Sequence, residues 1–115
     1  MNYKKPTVQL LGRFQPFHDG HYELFKKALE KTGQVCIMVR DTGGNDLNNP
    51  YSFRKIKKGI NKKLKKDFKG KYIILKVPNI VNISYGRGVG YKIEEIDLPD
   101  HIKKISATKI RNKNN

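Results

Sequence analysis

The chain has no tryptophan and a single cysteine, Cys36, so an internal disulfide is impossible. Acids are scarce, with 10 Asp and Glu against 25 Lys and Arg, for a formal net charge of +15. That imbalance favours anionic ligands. Arginine is scarce as well: Arg13, Arg40, Arg54, Arg87 and Arg111 are the only five among the 25 basic residues, and the rest are lysine. Phosphate and base recognition in nucleic acids leans on the bidentate guanidinium, so this lysine-rich surplus does not by itself indicate DNA or RNA. No run is long and apolar enough to cross a membrane, and the N-terminus lacks the apolar stretch of a secretory signal; a cytoplasmic protein is the expectation. With no His or acid near it in sequence, Cys36 reads as a small buried hydrophobe within Val35-Cys36-Ile37-Met38-Val39 rather than as a nucleophile.

At 115 residues the chain is expected to form one domain, 1–115, around one core. Val8 to Leu11 is a short apolar run ending at Gly12, a first strand. Asp19 or Gly20 can cap a helix reaching about Lys31, with Leu24, Phe25, Ala28 and Leu29 as its apolar stripe and Gly33 as C-cap. Gln34 to Val39 reads as a strand buried on both faces. A polar loop from Arg40 to Pro50 leads to Phe53, Ile56, Ile60 and Leu64 at helical spacing, then to a third strand, Tyr72 to Val77, closed by Pro78. Two β-α-β crossovers in succession predict an α/β fold: a Rossmann-like parallel sheet with helices on both faces. Ligands of such sheets bind at the carboxyl ends of the strands, where His18, His21 and the Arg40 loop should lie.

The richest stretch is Gly12-Arg13-Phe14-Gln15-Pro16-Phe17-His18-Asp19-Gly20-His21. It places two histidines three residues apart where a strand hands over to a helix. A helix N-terminus offers unpaired N–H groups and a partial positive charge, a natural seat for phosphate, and two imidazoles add directional donors. At the other end, Ile105-Ser106-Ala107-Thr108-Lys109-Ile110-Arg111 would put Lys109 and Arg111 in the first turn of a helix, against its dipole, at about 0.3–1 kcal/mol each. A bound phosphate would turn that liability into an attraction.

The first stretch resembles the HxGH signature of the nucleotidyltransferase superfamily, and Ile105 to Arg111 resembles its second signature, ISSTxxR. The wording of the first motif, with Asn49-Pro50-Tyr51 and Val77-Pro78-Asn79-Ile80, is similar to that of adenylyltransferases of the archaeal nicotinamide-mononucleotide type. Those relatives carry another strand and a longer C-terminal helical region, where this chain has Gly86 to Gly90 and little beyond Arg111.

The resemblance implies a compact HxGH nucleotidyltransferase fold and transfer of a nucleotidyl, adenylyl, group from ATP to a phosphorylated small molecule, releasing pyrophosphate. It implies catalytic roles for His18, His21, Arg111 and Arg13. It implies nucleotide contacts at Gly12, Arg13, Phe14, His18, Gly20, His21, Ile105, Ser106, Thr108, Lys109 and Arg111. Arg40, Asn79, Tyr85 and Arg87 are candidates for the acceptor. Mg²⁺ would be held mainly by the nucleotide, without a protein metal site. A homodimer is expected, because a small core gains from burying more apolar surface. Two alternatives stand beside this reading. One is a cytidylyltransferase using CTP on a polyol or lipid-head-group phosphate. The other is a non-catalytic module binding nucleic acid through the lysine-rich 54–71 segment, whose single apolar stripe is more simply a solvated helix, so a nucleic-acid partner is not expected. Gly86-Arg87-Gly88-Val89-Gly90 lacks the spacing of a dinucleotide fingerprint and reads as a turn. Tyr85 and Tyr91, which flank it, are expected to pack in the core.

Overall fold

The computed structural model describes residues 1–43, 50–88 and 90–104. Three parallel strands, β1 (Val8–Gly12), β2 (Val35–Arg40) and β3 (Tyr72–Val77), form an open sheet in the order β1-β2-β3. Helix α1 (Asp19–Thr32) joins β1 to β2, α2 (Phe53–Phe68) joins β2 to β3, and a short α3 (Asp100–Lys103) touches α1. Local chemistry explains the ends. Gly33 closes α1 at φ 81°, a left-handed conformation that costs glycine nothing, and its N–H donates to the Leu29 carbonyl at 2.7 Å. Ser52 opens α2 by accepting the Lys55 N–H at its hydroxyl.

The strand register sets Val8, Leu10, Val35, Ile37, Val39, Tyr72 and Ile74 on one face. Both long helices pack there. Phe25 and Ala28 of α1 and Ile56, Ile60 and Leu64 of α2 share one buried cluster with Val35, Ile37 and Val39, and the Phe25 and Phe68 rings lie 5.2 Å apart. Where helices on both faces were expected, the two long ones share one. Two right-handed crossovers stepping the same way across a sheet must leave their helices on the same side. The opposite face, with Leu11, Cys36, Met38, Ile73 and Leu75, is only partly covered, and β2 alternates buried with half-buried residues rather than being buried on both faces. Cys36 is accordingly half-buried, with its thiol pKa raised by desolvation. Buried Gln34 ties down the N-terminal strap. Its amide donates to the carbonyls of Asn2 and Lys5 and to the Thr7 hydroxyl, and accepts the Asn2 N–H.

No described helix is long and apolar enough to cross a membrane.

Candidate active site

The carboxyl ends of the parallel strands share one edge of the sheet. The chain leaving β1 there makes a tight path before α1. Phe14 sits at φ +52°, a left-handed conformation unusual for a bulky residue, and its ring folds back over Gly12. A Cβ on Gly12 would lie 3.0 Å from that ring, so glycine is what admits it. The Gln15–Pro16 peptide is cis. Gln15, 3% exposed, reaches Tyr51: its amide oxygen accepts the Tyr51 N–H at 2.9 Å and its nitrogen donates to the Tyr51 carbonyl at 3.4 Å. This two-way bridge fixes the β1–α1 loop against the head of α2.

His18, rather than Asp19 or Gly20, is the N-cap of α1. Its Nδ1 accepts the N–H groups of Gly20 and His21, at 3.0 and 3.3 Å. His21 answers by accepting the His18 N–H at its own Nδ1, 3.2 Å away. The reciprocal pair is a capping box made of two imidazoles. With both Nδ1 atoms accepting, the neutral tautomer of each ring carries its proton on Nε2. The rings stack 3.8 Å apart at 19°. The N–H groups expected to face a phosphate directly are thus partly taken up by His18, and the imidazole donor left to present is the His18 Nε2–H, because His21 donates to the Pro16 carbonyl.

The two histidines have different settings. His21 is held between Phe14, 4.9 Å away edge-on, and Phe17, 5.5 Å away and stacked, both nearly fully buried. Burial pushes its pKa down to about 3, helped by His18 and opposed by a hydrogen bond to the Pro16 carbonyl. His18 is half-buried. Desolvation lowers its pKa, with Asp19 pulling it up and Lys63 pushing it down. Both rings are neutral at pH 7. His21 is part of the packing as well as of the site, because its ring completes an aromatic cluster with Phe14 and Phe17. Gly20 is required by the same geometry: a Cβ there would lie 2.8 Å from the His18 Cε1.

Asp19, the first residue of α1, accepts a hydrogen bond from the Lys63 ammonium of α2 at 2.8 Å. That hydrogen bond and the Lys63 charge lower the Asp19 pKa. Arg13 is exposed beside this segment.

A second region lies at the ends of β2 and β3. A cavity there is lined by Arg40, Thr42, Tyr51, Ser52 and Lys76, among others. Arg40 donates to the Ile80 carbonyl at 3.3 Å, while its Nε and the Thr42 hydroxyl are buried with no hydrogen-bond partner among the described residues. Asn79, Tyr85 and Arg87 are exposed along the segment after β3. Tyr85 and Tyr91, expected in the core, are 56% and 71% exposed and face each other at 6.5 Å. The second signature, with Ile105, Ser106, Thr108, Lys109 and Arg111, lies outside the described residues, as does Asn49. Gln15 and Lys63 were not singled out from sequence. Gln15 lay unremarked inside the first motif, and Lys63 is one lysine among many. Among the described residues no group of three His, Cys, Asp or Glu could hold a metal ion.

Comparison with known proteins agrees with this geometry. Residues 10–52, which run from within β1 through the histidine pair, α1 and β2 to Ser52, the N-cap of α2, match the cytidylyltransferase-like family. This match and the parallel β-α-β-α-β fold are both consistent with the resemblance to HxGH nucleotidyltransferases. Among individual proteins, it is similar to the nicotinamide-nucleotide adenylyltransferase of Thermoplasma acidophilum, 27% identical over 78 residues that cover 67% of this chain and 44% of that protein. The enzyme of the same name from Archaeoglobus fulgidus is 37% identical over 43 residues, 36% of this chain and 25% of that protein. The chain therefore spans less than half the length of these curated relatives.

Proposed function

We propose that this protein is a nucleotidyltransferase that moves an adenylyl group from ATP to a phosphorylated small-molecule acceptor. The observation that carries this reading is the stacked histidine pair that caps α1 through both Nδ1 atoms, at the carboxyl edge of the sheet. The similarity to two nicotinamide-nucleotide adenylyltransferases supports the adenylyl choice.

An oxygen of the acceptor phosphate attacks the α-phosphorus. The bond to the bridging oxygen breaks, and pyrophosphate leaves with the electron pair. The attacking phosphate is already anionic at neutral pH, so no base has to remove a proton. The protein's task is to bring two anions together and stabilise the charge that shifts onto the phosphate oxygens. His18 donates from Nε2 without reorganising, because its Nδ1 is locked in the helix cap. His21 orients His18 by holding its backbone N–H and stacking on its ring. Arg13 and Arg111 are assigned to the triphosphate, with Ser106, Thr108 and Lys109 as further contacts. Arg40, which lines the cavity beside the α2 head, is assigned to the acceptor phosphate. The described site residues offer N–H donors and a single exposed carboxylate, Asp19, with no group of three potential ligands among them, so Mg²⁺ would be held mainly by the triphosphate oxygens.

The test is pyrophosphate release with ATP or CTP across nicotinamide mononucleotide, phosphopantetheine, flavin mononucleotide, glycerol phosphate and sugar phosphates. ATP with one of these acceptors should turn over, and calorimetric titration should show ATP binding more tightly than CTP. Tighter CTP binding overturns the adenylyl assignment. In the active pair, His18→Asn should keep the helix cap, since asparagine caps as well as any residue, yet lose the Nε2 donor and about 10²–10³-fold in turnover.

A further inference from the structure

Both histidines are neutral at pH 7, so they bring dipoles and no formal charge to a ligand carrying several negative charges. Cations must come from elsewhere. Helix α2 supplies one: its lysines are exposed, and Lys63 reaches across to the start of α1. Its ammonium stands 2.8 Å from Asp19 Oδ1, and Asp19 is the residue directly after the helix cap His18. Lys63 is the α2 cation in ion-pair contact with an acid among the described residues. Its positive charge is also felt at the His18 ring, where it opposes protonation.

The partner is unsuited to keeping that ammonium permanently. The Asp19 carboxylate is 79% exposed, and an ion pair so open to water contributes little. A polyphosphate presents more negative charge and several acceptor oxygens to the same ammonium, so exchange of partners favours the ligand.

We propose that Lys63 is a triphosphate-binding residue of this site, parked on Asp19 in the free protein and transferred to the β- or γ-phosphate when the nucleotide binds. The inference rests on the nucleotidyltransferase reading and extends it to a residue outside both signatures. Asp19 then serves as a holder that keeps the ammonium beside the histidine pair.

The alternative role for this pair is a plain staple between α1 and α2. Affinity for a triphosphate relative to its own monophosphate separates the two, because the base and sugar contacts cancel. MgATP against AMP and MgCTP against CMP are titrated by calorimetry into the full chain. Lys63→Met, which keeps the aliphatic stem, should weaken triphosphate binding about tenfold and leave the monophosphate unchanged. Lys63→Arg should recover most of the loss. Asp19→Asn should leave triphosphate binding equal or tighter, because a competing anion is gone. A staple predicts the opposite pattern: both variants lower the melting temperature alike, and the triphosphate-to-monophosphate ratio stays put. An unchanged ratio in Lys63→Met, or an Asp19→Asn loss matching that of Lys63→Met, overturns the assignment while nucleotide binding by the parent chain still stands. A parent chain that binds neither triphosphate overturns the nucleotidyltransferase reading itself, and this inference with it.

Discussion

The most informative single residue is His21, because three neighbours act on one ring. Phe14 and Phe17 enclose it, His18 stacks on it, and its Nδ1 completes the helix cap. Its folded pKa, near 3, lies far below that of an exposed histidine. The sign of the consequence follows directly. Between about pH 6.5 and pH 3 the unfolded chain binds a proton at this position and the folded chain does not. Stability is therefore full above that window and falls as pH drops through it, by about 1.4 kcal/mol per unit at the steepest. Asp19 and Asp41, with lowered pKa values, add their own losses only at the acid end, near and below the ordinary carboxylate pKa. His21→Asn keeps an acceptor for the His18 N–H but has no proton to refuse. Its melting temperature should vary less between pH 6.5 and pH 4.5 than the parent's in thermal scans. Equal slopes would mean that His21 is not buried as described.

At the scale of the element, the start of α1 depends on glycine for a steric reason. The His18 ring lies across Gly20 at a distance that leaves no room for a methyl group. Gly20→Ala improves intrinsic helix propensity by up to about 1 kcal/mol, yet must displace the ring that caps the helix. The two effects nearly cancel in stability. They do not cancel in function, since the displaced ring carries the Nε2 donor. We expect a melting temperature within a few degrees of the parent and a turnover lower by about 10²-fold, measured as pyrophosphate release. Parent-like turnover would show that the ring position is not needed. Sequence period identified this helix, its apolar stripe and its C-cap Gly33 correctly. It placed the N-cap one or two residues late, because histidine is not a usual cap and earns the position here only through its partner three residues on.

For the whole molecule, the one-sided placement of α1 and α2 leaves the other sheet face with Met38, Ile73 and Leu75 partly open. Val81, Ile83, Tyr85, Tyr91 and Ile93 are exposed on the segment after β3. Apolar surface of this extent favours self-association, and we expect a homodimer or larger assembly. Copies of a chain with net charge +15 repel each other, so association should strengthen as salt screens that charge. Light scattering at micromolar concentration and increasing ionic strength measures it. A monomeric mass throughout would refute the expectation.

Short-range pattern by itself determined the three strands, the two long helices, their order and the place of the histidine pair at the strand ends. Each of these depends on residues a few positions apart, where spacing alone selects strand or helix. The tertiary structure decided the rest. Gln15 meets Tyr51 across 36 residues and Lys63 meets Asp19 across 44, contacts set by how α2 lies against α1 and the β1–α1 loop. The burial that keeps His21 neutral is likewise a property of packing, since the phenylalanines that enclose it do so only because Phe14 turns back at positive φ. A motif names the residues at a site, but their charge states and partners come from neighbours that the chain brings near only when it folds.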